Sequence, residues 1–189
     1  MKTGILGGTF DPVHLGHLIL AQEIKEKLGL DRVIFVPAYR APHKGKNGLL
    51  PARHRLKMLR LAARGNPFFC VSDIELRRRG ISYTIDTVNA FGRRYPGDEL
   101  FFIAGSDLVP DLKTWKGYRS LLKAVTFVVA GRPGYPAPGK MVPGVTSLRI
   151  RTVDISAAEI RTRRKNGLQV RYFLPEAVYR YIVTNRLYI

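Results

Sequence analysis

Short apolar runs alternate along this chain with segments of helical periodicity, and this alternation limits its fold more than any other feature. The run Val33-Ile34-Phe35-Val36 is typical of a buried strand, whereas apolar residues spaced three and four apart over 15–28 predict a helix. Near-continuous apolar strands joined through helices indicate a parallel sheet that is covered on both faces. We therefore predict an α/β fold with a Rossmann-like, doubly wound parallel sheet, helices on both faces and a small C-terminal helical portion.

The predicted elements extend over the whole chain. The predicted strands are 2–7, 32–37, 68–76, 100–104 and 125–130. The predicted helices are 15–28, 53–64, 83–95, about 156–166 and about 175–185. The 189 residues fit a single domain, in which about 155–189 form the C-terminal helical portion. The Pro- and Gly-rich segment 131–144 is predicted to be a mobile surface loop.

The formal net charge of +18 predicts an acidic partner. Nucleic acid and small phosphorylated ligands both satisfy this requirement. The basic residues are spread along the chain, and the densest cluster, Arg77-Arg78-Arg79, ends in a predicted turn at Gly80. No basic arm stands out in the sequence, and charge alone does not separate a small phosphorylated ligand from nucleic acid.

The lone cysteine and the first residues bear on the compartment. Cys70 lies in the apolar run Phe68-Phe69-Cys70-Val71 and is predicted to be a small core residue; a single cysteine forms no intramolecular disulfide. This usage suits a reducing compartment. The N-terminal sequence lacks the apolar core and cleavage site of a signal peptide, and no apolar run is long enough to span a bilayer. We expect a cytoplasmic protein without a membrane partner.

The turn between the first predicted strand and the first predicted helix reads Gly7-Gly8-Thr9-Phe10-Asp11-Pro12-Val13-His14-Leu15-Gly16-His17. Glycines at a strand end let the backbone approach a phosphate, and a helix N-terminus attracts anions. His14 and His17 are three residues apart and project from one face of the first turn, and Gly16 leaves that face open. A phosphate site is favoured. The alternatives are a metal pair, for which no third ligand is evident, and two surface histidines.

A second candidate anion site lies near the C-terminus. Ser156 and Glu159 have capping-box spacing, so a helix is predicted to begin at about Ala157. Arg161 lies in its second turn and can reach back toward the N-terminal end, where an arginine and free N–H groups can hold a phosphate. Spacing alone favours the simpler alternative, an ordinary capped surface helix.

These motifs resemble one enzyme family. Segment 7–17 is similar to the signature of the nucleotidyltransferase superfamily that carries a His-x-Gly-His motif. A fuller resemblance, over essentially the whole chain, is to bacterial nicotinate-mononucleotide adenylyltransferases. It rests on Val36-Pro37, Pro42-His43-Lys44, Asp73-Ile74-Glu75-Leu76, Ser82-Tyr83-Thr84-Ile85-Asp86-Thr87, Gly105-Ser106-Asp107, Trp115, 155–161, Leu174-Pro175-Glu176-Ala177-Val178, Tyr181-Ile182 and Leu187-Tyr188.

The resemblance implies an enzyme of NAD biosynthesis that transfers AMP from ATP to nicotinate mononucleotide, giving deamido-NAD and pyrophosphate. The implied catalytic residues are His14, His17 and Arg161. The implied ATP-binding residues are Gly7, Gly8, Thr9, Phe10, Gly16, Gly105, Asp107, Ile155 and Ser156. The implied acceptor-binding residues are Lys44, Thr84, Trp115 and Lys116. Mg²⁺ is expected to be held by the ATP phosphates, with no metal ligand from the protein.

This sequence departs from the family pattern in two places. Ala157 and Ala158 stand where the family usually has hydroxyl side chains, and Lys116 stands where it often has an aromatic residue. The nearest alternative is a sibling adenylyltransferase that uses nicotinamide mononucleotide or phosphopantetheine. A basic nucleic-acid-binding protein and a tRNA-synthetase fragment rank below it. The resemblance is also compatible with a homo-oligomer.

Overall fold

Six parallel strands form the sheet in the computed structural model, which describes residues 1–42, 48–131, 144–151 and 153–189. Within these residues the strands are β1 (Lys2–Gly8), β2 (Arg32–Pro37), β3 (Phe69–Val71), β4 (Glu99–Gly105), β5 (Thr126–Ala130) and β6 (Val145–Leu148). They lie in the order β3-β2-β1-β4-β5-β6, and every neighbouring pair is parallel.

Seven α-helices are formed by the same described ranges. They are α1 (Leu15–Leu28), α2 (Ala52–Ala63), α3 (Ile74–Arg78), α4 (Thr84–Arg94), α5 (Tyr118–Ala124), α6 (Ala157–Lys165) and α7 (Glu176–Thr184). Helix α1 has the predicted bounds, because its apolar period ends at Gly29, which adopts a left-handed φ of 60° after the last turn. None of these helices has the length and apolar composition of a membrane span.

Each face of the sheet has its own apolar layer, because successive strand residues point to opposite faces. Leu6 of β1 belongs to the layer that contains Ile24 of α1 and Met58 of α2, together with residues of α6 and α7. Ile5 belongs to the opposite layer, with Val88 of α4 and Leu121 of α5. The predicted doubly wound α/β fold is therefore confirmed.

The strand order reverses at β1, and this reversal positions the functional site. From β1 the chain passes to β2 and β3 on one side, then returns to place β4 on the other side. In such sheets a crevice forms beyond the carboxyl ends of the strands that flank the reversal, and ligands bind there. In this protein those ends are Gly8 of β1 and Gly105 of β4.

The predicted strand 68–76 is wrong beyond residue 71. Strand β3 ends at Val71 and helix α3 begins at Ile74, and in this helix Glu75 is buried against α4. Apolar residues continue at Ile74 and Leu76 after Ser72 and Asp73, and short apolar segments by themselves do not separate a strand from a helix. Helix α5 and strand β6, with seven and four residues, are too short to give a periodic signal in the sequence.

Two further predictions concern Cys70 of β3 and the segment 131–144. Cys70 is exposed, so its prediction as a core residue is wrong. Phe69 and Val71 pack on the core, and the alternation of side chains turns Cys70 to the opposite face of an edge strand. Of the predicted loop 131–144, residues 132–143 lie outside the described residues.

Candidate active site

The turn that joins β1 to α1 brings its two histidines into contact. His14 precedes helix α1 in an extended conformation, and His17 lies in the first turn. The centroids of the two imidazole rings are 3.8 Å apart, with an angle of 38° between the ring planes. The pair predicted from three-residue spacing is therefore present at the N-terminus of α1.

A hydrogen bond from the backbone determines which nitrogen of the His17 ring carries the proton. The His14 backbone N–H donates to Nδ1 of His17 at 3.3 Å, while the His17 N–H donates to the His14 carbonyl at 3.0 Å. Because Nδ1 accepts, the neutral ring carries its proton on Nε2 and offers that atom as a donor. The Phe10 ring packs edge-to-face with this imidazole, with centroids 5.0 Å apart. Gly8 leaves room for Phe10, since a Cβ at position 8 would lie 3.0 Å from the Phe10 ring.

A cavity of about 480 Å³ opens beside the histidine pair, at the carboxyl ends of β1 and β4. Its wall includes every residue that the sequence assigned to catalysis or to ATP: Gly7, Gly8, Thr9, Phe10, His14, Gly16, His17, Gly105, Asp107, Ile155, Ser156 and Arg161. It also includes Asp11 and Arg151, to which the sequence analysis assigned no role. We call this the larger cavity.

The start of α6 forms one side of the larger cavity. The Ser156 hydroxyl accepts the backbone N–H of Glu159 at 3.1 Å, which is the predicted N-cap. Arg161 donates from Nη1 to the backbone carbonyl of Asp11 at 2.8 Å. This bond joins α6 to the β1–α1 turn across 150 positions of sequence, so both predicted anion sites face one cavity.

A second cavity of about 340 Å³ lies beside the first. Three of the predicted acceptor-binding residues, Thr84, Trp115 and Lys116, are part of its wall. The fourth, Lys44, lies outside the described residues. We call this the smaller cavity. The residues shared by both walls are Gly7, Gly8, Thr9, Ile103 and Leu108, so the cavities meet where β1 and β4 end.

The smaller cavity is aromatic on one side and charged on another. The Trp115 ring packs edge-to-face against Phe102 at 6.1 Å and Phe127 at 5.9 Å between centroids, which fixes its plane. Nζ of Lys116 lies 3.4 Å from Oδ2 of Asp86 and 4.5 Å from the centroid of the Tyr83 ring. A flat apolar surface and a cation therefore stand side by side.

Comparison with known proteins assigns the chain to a family. Residues 5–163 match the family model described as Cytidylyltransferase-like. A relative from Thermus thermophilus, described as a probable nicotinate-nucleotide adenylyltransferase, is 47% identical over 188 residues, covering 100% of both chains. A relative from Geobacter sulfurreducens with the same description is 42% identical over 212 residues, covering 100% of this chain and 98% of the relative. This chain belongs to the nicotinate-nucleotide adenylyltransferase family.

A solved structure shares the fold. The Plasmodium falciparum nicotinic acid mononucleotide adenylyltransferase complexed with NaAD matches with a TM-score of 0.81 at 19% identity. The match covers 100% of this chain and 98% of that chain. The fold of this chain is therefore shared with a protein of much lower sequence identity.

The sequence analysis missed a buried polar network that contacts the β1–α1 turn. Arg55 of α2 is 2% exposed and donates to the backbone carbonyls of Thr9, Ala38 and Leu50 at 2.7, 2.8 and 3.1 Å. Burial lowers the pKa of Arg55, and the Asp11 carboxylate opposes this shift. A signal was available, because Arg55 is in helical phase with the buried residues Met58 and Leu59.

Glu75 is the second buried group that the motif analysis did not assign to the site. It lies in the wall of the smaller cavity, 6% exposed, and accepts the Thr87 hydroxyl at 2.6 Å. Burial raises the pKa of Glu75, and hydrogen bonds from Thr87 and Ser82 oppose the shift. The acid therefore keeps its proton to higher pH than an exposed glutamate.

Proposed function

We propose that this chain transfers the AMP group of ATP to the phosphate of nicotinate mononucleotide, giving deamido-NAD and pyrophosphate. The observation that carries the proposal is the meeting of two cavities at Gly7, Gly8 and Thr9, beside the paired imidazoles. Their volumes, about 480 and 340 Å³, lie within the usual range for small-molecule sites. An enzyme that joins two nucleotides needs two such cavities with a common wall, where the new bond forms.

The reaction is an in-line displacement at the α-phosphorus of ATP. An oxygen of the acceptor phosphate forms the new P–O bond, and the bond to the bridging oxygen of pyrophosphate breaks. Because a phosphate monoester has a second pKa of about 6, it is largely dianionic at neutral pH and needs no general base. Catalysis then depends on alignment of the two phosphates and stabilisation of negative charge.

The residues of the larger cavity divide this work between its two ends. His14 and His17 hold the α-phosphate, supported by their contact and by the N-terminus of α1, which favours an anion. Arg161 and the N-terminus of α6 after Ser156 hold the β- and γ-phosphates. The remaining assigned residues bind the rest of ATP at the strand ends: Gly7, Gly8, Thr9, Phe10, Gly16, Gly105, Asp107 and Ile155.

The donor set of the larger cavity fits Mg²⁺ that arrives with ATP. Its carboxylates are Asp11 and Asp107, and no group of three or more His, Cys, Asp or Glu side chains within the described ranges could hold a metal ion. Mg²⁺ commonly binds through substrate phosphates with few protein ligands. When bound, it supplies charge neutralisation to the leaving pyrophosphate.

The smaller cavity suits the pyridine ring and its carboxylate. Trp115 offers a ring held in one orientation, and Thr84 begins α4, where backbone N–H groups can receive a carboxylate. Lys116 is the only cation among the described residues of this wall, and burial raises the pKa of Glu75 in the same wall. Lys44 stays a prediction from sequence for the acceptor phosphate.

The single cysteine of the chain supports a cytoplasmic location.

The test is pyrophosphate release from ATP over a panel of acceptors: nicotinate mononucleotide, nicotinamide mononucleotide and phosphopantetheine. We expect the highest kcat/KM with nicotinate mononucleotide, because its carboxylate meets Lys116 and the start of α4. A higher kcat/KM for the amide or for phosphopantetheine would overturn the choice of acceptor. Absence of pyrophosphate with all three would overturn the reaction itself.

A further inference from the structure

The C-terminal end of the chain reaches the turn that carries the two histidines. The Tyr188 hydroxyl donates to Oδ1 of Asp11 at 2.6 Å, across 177 positions of sequence. After the end of α7, Arg186 and Tyr188 adopt left-handed φ values of 50° and 62°. Such values are strained for residues with a Cβ and persist where surrounding contacts enforce them. Leu187 between them is buried in the core, so the end of the chain is fixed in place.

Asp11 is the point at which this end meets the active-site turn. It is 1% exposed; Oδ1 accepts the Tyr188 hydroxyl, and Oδ2 accepts the backbone N–H of Leu50 at 3.4 Å. Its backbone carbonyl accepts Arg161. Two residues earlier, the carbonyl of Thr9 accepts Arg55. Helix α2 thus holds the turn that leads to His14 at Thr9, and helix α6 and the chain end hold it at Asp11.

The Tyr188 hydroxyl is a permanent donor in this network. Burial and the neighbouring Asp11 carboxylate raise the pKa of Tyr188 above its ordinary value. The phenol therefore stays protonated through the pH range in which the enzyme works, and its bond to the carboxylate is a short, charge-assisted one. Tyr188 does not lie in the wall of either cavity, so it acts on the chemistry through Asp11.

We propose that Tyr188 is a positioning residue, whose bond to Asp11 fixes the β1–α1 turn and thereby the alignment of His14 and His17 on the α-phosphate. This inference rests on the proposed adenylyl transfer. Loss of the bond frees the turn at one of its holding points, while the walls that bind ATP and the acceptor keep their other contacts. We therefore expect removal of this bond to lower kcat and to leave KM unchanged.

The test compares two variants that each remove one tyrosine hydroxyl near the C-terminus. Tyr188→Phe removes the bond to Asp11. Tyr181→Phe is the matched control, because the Tyr181 hydroxyl bonds to Nδ1 of His54 at 2.9 Å and joins α7 to α2 away from both cavities. Since a misplacement of about 1 Å can cost up to about 10²-fold in rate, we expect Tyr188→Phe to lower kcat about 10-fold, with KM for both substrates within about twofold. Tyr181→Phe should leave kcat unchanged.

NMR signals of the imidazoles provide a readout that does not depend on activity. The sequence has four histidines, so their ring signals can be followed individually. Tyr188→Phe should move the signals of His14 and His17 but not that of His54, and Tyr181→Phe should do the reverse. Unchanged kcat and unmoved His14 and His17 signals in Tyr188→Phe would overturn the inference, as would equal losses of kcat in both variants. If the wild-type protein fails to adenylylate nicotinate mononucleotide, the proposed function fails. The imidazole signals of His14 and His17 in Tyr188→Phe still test whether Tyr188 positions the β1–α1 turn.

Discussion

Room for the His14 ring depends on the missing side chain of Gly16. A Cβ added at this position would lie 3.0 Å from Nδ1 and 3.1 Å from Cε1 of His14. These distances are shorter than van der Waals contact, so the ring would have to move by a few tenths of an ångström. Under the proposed mechanism, such a displacement of His14 changes the geometry at the phosphate without touching the core.

We predict that Gly16→Ala lowers kcat while thermal stability is unchanged or increased. Alanine favours a helix over glycine by up to about 1 kcal/mol, so the expected loss of turnover cannot come from unfolding. The measurement is kcat together with the melting temperature. Gly92→Ala in α4 is the matched control, because a Cβ there meets nothing within 4 Å, and it should raise the melting temperature with normal kcat. Wild-type kcat in Gly16→Ala would show that His14 tolerates displacement.

What the sequence predicts at this scale depends on the distance between partners along the chain. His14 and His17 could be paired from their spacing, because residues three apart share a helix face. The Tyr188–Asp11 bond could not, because no local pattern relates residues 177 positions apart. Arg55 falls between these cases: its helical phase indicates burial, but the carbonyls that it binds come from separate segments.

At the scale of elements, one buried acid in the wall of the smaller cavity joins two helices. Glu75 of α3 accepts the Thr87 hydroxyl of α4, and Arg78 donates to the same hydroxyl oxygen at 3.0 Å. Burial raises the pKa of Glu75 above its ordinary value of 4.5. The folded state therefore holds this proton more tightly than the unfolded state, and the wild-type protein loses stability from this group as the pH rises above 4.5.

We predict that Glu75→Gln gains stability relative to wild type as the pH rises from about 4.5 toward neutrality. Glutamine keeps an acceptor oxygen for Thr87 but does not ionise. The free energy of unfolding in urea, measured at several pH values for both proteins, gives the difference. Glu176→Gln is a control of opposite sign, because hydrogen bonds from Arg180 and Arg171 lower the pKa of that exposed carboxyl. A difference for Glu75→Gln that stays constant or falls with pH would contradict the assignment.

Elements were predictable where one periodic pattern filled the whole segment. Helix α1 and strand β2 have the predicted bounds, since their apolar residues follow a single period between clear ends. The segment 68–76 contains β3 and the start of α3, and its apolar residues on both sides of Ser72 and Asp73 hide the change between them. Tertiary contacts decide this boundary, because Glu75 becomes buried only when α3 lies against α4.

At the scale of the whole molecule, the reversal of strand order explains why two cavities share a wall. Parallel strands place all their carboxyl ends at one edge, and the reversal of strand order at β1 opens the crevice between β1 and β4 there. The alternation of strands and helices in the sequence was sufficient to predict this edge. The net charge of +18 did not indicate where the cavities lie. Of the lysines and arginines, the described cavity walls contain Arg151, Arg161 and Lys116.

The most direct test of the whole account is a crystal structure with nicotinate mononucleotide and an ATP analogue that cannot release pyrophosphate. We predict that the triphosphate lies in the larger cavity along the start of α6, with the pyridine ring against Trp115 in the smaller cavity. The acceptor oxygen should face the α-phosphorus beside His17 at a near-attack distance of about 3–3.5 Å. Either nucleotide bound away from these cavities, or an α-phosphorus remote from the two imidazoles, would contradict the account.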